Sequence, residues 1–574
     1  MKKLLRFLLP YKKQIALATL FMLISVVCNL TLPTIMSRIL DQGVYGTAGS
    51  YAQIVRSCLW MLALAGLSLG AVLAGYYFAT RITAFFTRDL RNAMFQKINE
   101  MSFEQVGKLG TAALVTRMTH DAGTLAWAAG LLCGSIVIIP LMFLGGTLLC
   151  MQKDFYLSLI MLATVPLVLG LVLILSKKLA SLWEISDKYF DVQNGLMRER
   201  IRGIRVIRAF SREPREHERI YAAITEMTGH MIRANVTMEL IAPIATVLMN
   251  LAVLGIVRFG AVRLERGAGL SAGDIFAVIQ YVSIVLSSLI SAMWAIIMLP
   301  HARVAARRIS EITETETTPE ACDESVQFSG EITLEHVSFR YEGADAAALE
   351  DISLHIPAGS RVAVIGGTGS GKSTLVSLLL AFRRPTEGTV RFDGVDAAEY
   401  SGSTIRRNVS CALQRPMLYA GTIADNIRMG DLGASDAQVA EAAEIAQLSG
   451  LISRREKGLG HVLTPSGGNI SGGQKQRVSI ARAIVKQAPI YIFDDSFSAL
   501  DFLTEKALRT ALNERIRGRT QLIISQRVTT AMRSDRIFVL DQGRLVGAGT
   551  HQELLESCPI YREIYASQTG GGAA

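Results

Sequence analysis

Between residues 14 and 299, six apolar stretches run without a single charged side chain: 14–36, 59–77, 125–149, 155–176, 240–257 and 276–299. Each is close to the ~20 residues that carry an α-helix across ~30 Å of hydrocarbon. Inside lipid every backbone N–H and C=O must be satisfied within the segment, so the stretches are predicted to be spanning helices. A leader peptide beginning at Met1-Lys2-Lys3 is the alternative for the first, but the stretch is too long and lacks a small-residue cleavage site where one is needed. Pro33, Pro140, Pro166 and Pro243 fall in or beside these stretches and read as kinks.

The basic residues are distributed unevenly between the stretches. Lys and Arg number five before the first, two between Arg38 and Arg56, six from Arg81 to Arg117, then Lys153 alone, twelve from Lys177 to Arg233, and three at Arg258, Arg263 and Arg266. By the positive-inside bias, the N-terminus and the two long basic segments are cytoplasmic and the three short, poor loops face outward. The chain is thus expected to be a multi-pass protein of the cell (plasma or inner) membrane, with the bilayer as a partner. This arrangement accounts for the net charge of +10 without a nucleic-acid partner. The seven cysteines are scattered with no CxxC pair, as in a reduced setting without a zinc site.

Both long basic segments alternate charged and apolar residues at helical spacing, as in Leu90, Met94, Ile98 and Met101, so the spanning helices are expected to continue into the cytoplasm. Each is expected to break at glycine, at Gly107 to Gly110 in the first and near Gly203 in the second. The breaks are read either as docking segments or as ordinary loops.

After Pro300 the last helix is expected to continue to Ile312. The predicted division is a helical membrane domain over 1–312, a linker over 313–326 and an α/β domain over 327–574. Short β-rich runs at 332–339, 352–356, 362–365, 389–392, 490–493, 522–524 and 537–540 interleave with helices, which predicts a largely parallel sheet. One of them, Val362 to Ile365, opens into Gly366-Gly367-Thr368-Gly369-Ser370-Gly371-Lys372-Ser373-Thr374, which fits GxxxxGK[ST] between a strand and a helix. Glycines free the backbone N–H groups to curl round a polyphosphate, Lys372 brings charge to the outer phosphates, and the Ser373 hydroxyl can bind Mg²⁺. The following helix turns its positive end toward the anion.

Downstream, Ile470-Ser471-Gly472-Gly473-Gln474-Lys475-Gln476-Arg477 precedes Tyr491-Ile492-Phe493-Asp494-Asp495 and Ser498-Ala499-Leu500-Asp501. With these runs the whole chain resembles an ATP-binding cassette (ABC) exporter half-transporter of the multidrug-resistance type: six membrane helices followed by one P-loop nucleotide-binding domain. The resemblance implies ATP and Mg²⁺ as cofactors, an amphiphilic small molecule as substrate and a second half-transporter as partner. Gly366, Thr368, Gly369, Ser370, Gly371, Lys372, Ser373 and Thr374 resemble the Walker A loop, and Asp494 the Walker B aspartate that orients Mg²⁺ through water. Tyr341 resembles the aromatic that stacks on adenine. Gln414 resembles the glutamine that contacts Mg²⁺ along with Ser373. Ser471, Gly472, Gly473 and Gln474 resemble the signature that caps an ATP held by the opposite subunit. Ser498 to Asp501 resembles the loop crossing between the two sites. Leu114-Val115-Thr116-Arg117 with Asp121, and Gly203 to Phe210, resemble the segments around the two coupling helices.

Two positions depart from the family pattern. Asp495 stands where a glutamate acts as general base, about 1.5 Å shorter in reach. Gln526, in Ile523-Ile524-Ser525-Gln526-Arg527, stands where the family has a switch histidine, and it has no titratable proton to offer. A third, weaker departure is Pro465, at an often acidic position before the signature. Both main losses fall on the Walker side, so the resemblance is closest to the degenerate-site subunit of a heterodimeric bacterial exporter. A slow homodimer, an ATP-gated non-pumping regulator and an importer of the same fold remain as alternatives. Asn29, Asn250 and Gln280 lie inside spans and could line a cavity or join helices.

Overall fold

The computed structural model describes residues 4–44, 51–267, 269–317 and 322–569. Residues 318–321 of the expected linker and the Met1-Lys2-Lys3 start lie outside the described residues. The chain forms two compact units: Met1–Asn99 with Leu109–Glu316, and Glu100–Lys108 with Thr317–Ala574.

The first unit is all helical. The six apolar stretches lie in Lys12–Arg38, Tyr51–Glu100, Ala122–Lys153, Phe155–Ala209, Ile241–Glu265 and Ala272–Thr313, with Glu213–Glu239 between the fourth and fifth. Among the described residues, five helices are long and apolar enough to cross a membrane, and Val137–Lys153 is a shorter apolar one. Tyr51–Glu100 has 50 residues and Phe155–Ala209 has 55, so at about 1.5 Å per residue they are about 75 and about 83 Å long. That is more than twice the ~30 Å of a bilayer core, so both run on well past their apolar stretch.

Gly110, at φ +77°, separates the short helix Phe103–Leu109 from Thr111–Thr116. The expected second break is displaced. Gly203 lies inside the Phe155–Ala209 helix, which turns only at Phe210 to Arg212, with Ser211 at φ +50°. A glycine with continuous i→i+4 bonding costs a helix only about 1 kcal/mol, too little to end a run of this length.

Packing in this unit depends on small residues and shared hydrogen bonds. A Cβ on Gly146 would sit 2.7 Å from Val285 Cγ2, so the Ala122–Lys153 and Ala272–Thr313 helices approach closely there. Asn29 Nδ2 donates to Ser68 Oγ at 3.0 Å and to the Ser25 carbonyl at 2.9 Å, which makes it a tie between the first two helices. Tyr281, fully buried, donates to the Leu30 carbonyl at 2.9 Å. Leu62, Leu69, Leu73, Leu144, Ile174 and Leu254 are exposed on the outside of the bundle. So large an apolar exterior suits lipid and not water.

The second unit holds two main sheets. A six-stranded sheet runs in the order Arg544–Gly549, Arg536–Asp541, Arg361–Ile365, Thr520–Ser525, Ile490–Asp494, Val409–Ala412. All neighbours are parallel except the first pair. Val362 and Val364 face one hydrophobic core and Ala363 and Ile365 another, as a strand covered on both faces must. The second sheet, Leu349–Ile356, Ile332–Phe339, Glu387–Phe392 and Val395–Asp396, is antiparallel throughout. Its separateness is not visible in the alternation of strands and helices along the sequence.

Candidate nucleotide site

Register builds the site. In the parallel sheet Ile365 is level with Ser525, and Ile524 with Asp494, so the three strands end along one edge. The phosphate loop, Gln526 and the Asp494-Asp495 pair are the residues that follow from that edge, the usual place for a ligand in an open α/β sheet.

The loop's glycines are required by its course. Gly369 and Gly371 have φ of +84° and +98°, a region that side chains disfavour. A Cβ on Gly371 would meet Leu349 Cδ2 at 2.6 Å, and one on Gly366 would overlap the Leu540 carbonyl. Lys372 opens the helix Lys372–Leu379 and folds back over the loop. Its Nζ donates to the carbonyls of Gly366 at 2.9 Å and Gly367 at 2.6 Å, and to Ser370 Oγ at 3.1 Å. Burial lowers the Lys372 pKa, and the negative charges of Asp495 and Asp494 pull it back up. The ammonium is thus held over the loop by the loop's own oxygens. Ser373 is exposed and Thr374 buried.

Asp494 ends its strand 6% exposed, and burial pushes its carboxyl up to about 6. Repulsion from Asp495 adds to the rise, while Lys372 and the Gln414 backbone N–H oppose it. The Asp494 carboxylate and the exposed Ser373 hydroxyl are both hard oxygen donors, the type that suits Mg²⁺.

Asp495 has φ +46°, the left-handed region that aspartate tolerates better than most residues. Its N–H donates to the Ile524 carbonyl at 2.8 Å, and its own carbonyl accepts from Ser498 Oγ at 2.8 Å. Gln526 is exposed at the end of its strand. Tyr341 is 37% exposed, with its hydroxyl 3.2 Å from Thr374 Oγ1 and the Arg383 guanidinium 4.6 Å from its ring centroid. One ring face is thus partly occupied by a cation.

The Ser471–Gln474 run makes the start of the helix Gly472–Val485. Ser471 Oγ accepts the Gln474 N–H at 3.3 Å, and Gln474 Oε1 accepts the Ser471 N–H at 2.9 Å, a reciprocal capping box. Gly473 is held close to its surroundings, where a Cβ would lie 3.0 Å from the Ala499 carbonyl. Ser471 and Gly472 are exposed. Asp501 caps the helix Phe502–Arg515 by accepting the Thr504 N–H at 2.9 Å.

Three residues not singled out from the sequence tie these parts together. Gln476, 4% exposed, donates toward the carbonyls of Gln414 and Asp495 at 3.5 and 3.4 Å. Arg527 Nη2 donates to the Ser498 carbonyl at 2.8 Å, and Gln568 reaches the backbone around Gln526. Their only sequence signal is adjacency to a motif, and Gln568 lacks even that.

Sequence and fold comparisons decide the family. Residues 15–289 match the ABC transporter transmembrane region and residues 349–498 the ABC transporter family. An uncharacterized ABC transporter ATP-binding protein of Mycobacterium tuberculosis is 33% identical over 569 residues, covering 98% of this chain and 97% of its own. This chain is an ABC transporter. The transporter is also 33% identical over 571 residues to a Bacillus subtilis ABC transporter ATP-binding protein, with 99% of each chain covered. It is 29% identical over 573 residues to the ATP-dependent lipid A-core flippase of Chromobacterium violaceum, covering 99% and 97%. Its fold matches that of a bacterial Atm1-family ABC exporter with ATP bound, at a TM-score of 0.82 and 24% identity, covering 98% and 99%. The transporter is thus an ATP-hydrolysing, ATP-driven protein embedded in the membrane.

Proposed function

We propose that this transporter is one half of a heterodimeric exporter, binding ATP in a site of its own that turns over poorly and lending its signature to a competent site on its partner. The observation that supports this is the location of the two departures. Asp495 and Gln526 both follow from the sheet edge that carries the phosphate loop, whereas the capped Ser471–Gln474 turn is complete. A carboxylate that is a methylene short leaves the attacking water misplaced, and ~1 Å of misplacement can cost roughly 10²-fold in rate.

In this reading Lys372 and the loop N–H groups hold the phosphates and Tyr341 stacks on the base. Ser373, Gln414 and Asp494 hold Mg²⁺, which when bound supplies charge stabilisation for phosphoryl transfer. Asp495 and Gln526 orient the ATP more than they activate water. The nucleotide-binding unit lies in the cytoplasm, and the domains divide at 1–312, 313–326 and 327–574. Glu100–Lys108, grouped with the second unit, supports a coupling role for the first basic segment. The substrate class is an amphiphile, lipid or drug-like, supported by the flippase relatives.

The decisive experiment compares ATPase activity of the purified chain alone with that of the chain reconstituted beside a half-transporter carrying glutamate and histidine at the two positions. Turnover is expected only for the pair. Robust turnover by the chain alone overturns the proposal.

A further inference from the structure

We infer that Gln568, on the last helix, is a positioning residue for the switch position Gln526. The carboxamide of Gln568 spans the backbone on both sides of Arg527. Its Nε2 donates to the Gln526 carbonyl at 2.7 Å, and its Oε1 accepts the Val528 N–H at 2.8 Å. Arg527 between them is extended, at φ −92° and ψ 121°. In an extended segment the C=O of one residue and the N–H two residues on point the same way, so a single side-chain amide takes the place of a neighbouring strand.

The clamp refers to a fixed frame. Gln568 belongs to the helix Pro559–Thr569, whose Tyr561 is fully buried in a core with Ala363, Ile365, Val528 and Ala531. Ala363 and Ile365 are in the strand that leads into the phosphate loop. The helix therefore measures the switch loop against the loop that holds the nucleotide. On the other side, Arg527 Nη1 lies 3.5 Å from Glu505 Oε2, and its Nη2 bonds the Ser498 carbonyl. With the Arg527 N–H donating to Ser525 Oγ at 2.9 Å, the segment after the strand is held from three directions. The geometry sets the distance of residue 526 from the phosphates without Gln568 touching the nucleotide. The inference rests on reading 526 as the switch position.

The test uses the full-length transporter in lipid nanodiscs, with hydrogen exchange followed at residues 525–530 with and without MgATP. In Gln568→Ala the Val528 amide is expected to exchange roughly fivefold faster, the loss of one net hydrogen bond. MgATP is expected no longer to slow that segment, although the affinity for a fluorescent ATP analogue stays within about twofold of wild type. Gln568→Glu keeps the acceptor for Val528 but cannot donate to Gln526, so it should leave Val528 protected and still lose the MgATP response. Adding Gln568→Ala to Gln526→Ala should change the MgATP response no further. Unchanged exchange at Val528, exchange raised equally in the 361–365 and 520–525 strands, or additive effects of the two substitutions would each overturn the inference. Turnover by the wild-type chain alone decides the partner question separately, since the exchange comparison does not need hydrolysis.

Discussion

Asp494 and Asp495 are adjacent carboxylates in different surroundings, and the difference gives the first test. Burial raises Asp494 to about 6, above its ordinary 3.8, so its contribution to the stability of the nucleotide-free domain is fully present below about 3.8 and is lost as pH rises through about 6. Mg²⁺ requires the carboxylate, so Mg-nucleotide affinity should change in the opposite sense and fall as pH drops below about 6. Asp494→Asn should flatten both profiles and stabilise the nucleotide-free protein at pH 8 by on the order of 2 kcal/mol, read by thermal unfolding and by titration with MgATP. For Asp495, the combined substitution Asp495→Glu with Gln526→His should raise the chain's own ATPase on the order of 10²-fold, read by phosphate release. An unchanged rate would place the defect elsewhere than in these two side chains.

At the scale of elements, two turns carry nucleotide chemistry and can be separated. Gly371→Ala places a methyl against Leu349 and the Ala348 carbonyl in a left-handed backbone, so the phosphate loop should not close and ATP binding by this chain should be lost. Ser471→Ala removes the cap of the signature helix, at a cost of about 1 kcal/mol. It should reduce ATPase of the assembled pair and leave ATP binding at this chain's own loop intact, as measured by photolabelling with an ATP analogue. The elements themselves were unevenly legible. Ile332–Phe339 is bounded correctly as a β-rich run, and the phosphate-loop strand, expected from Val362, begins one residue earlier at Arg361. Val409–Ala412 does not stand out because its middle residues are small and polar; Ser410, buried, bonds the Ala483 carbonyl at 2.7 Å beneath the signature helix. Arg544–Gly549 was missed for its small residues, since a Cβ on Gly547 would lie 2.9 Å from Cys558 Sγ. Motif residues were legible because phosphate chemistry restricts their types. Gln568 was not, because its role comes from where a distant helix ends.

For the whole molecule, the charge pattern along the sequence makes a testable statement about sidedness. Cys58 and Cys322 are exposed, whereas Cys28, Cys150 and Cys558 are buried. In single-cysteine variants a membrane-impermeant maleimide should label Cys58 in intact cells and Cys322 only after permeabilisation, and the reverse pattern would invert the topology. The backbone also passes between the two units three times, because Glu100–Lys108 leaves the helical unit and returns to it before the chain crosses finally at Glu316. Within the second unit Phe103 packs on Phe382 at 4.5 Å between ring centroids, and Lys108 pairs with Glu342 at 2.6 Å. The second unit is therefore built from two separate stretches of the chain. A nick at the linker would cut one crossing of three. A fragment made from 327–574 alone would lack the Phe103 ring that packs on Phe382.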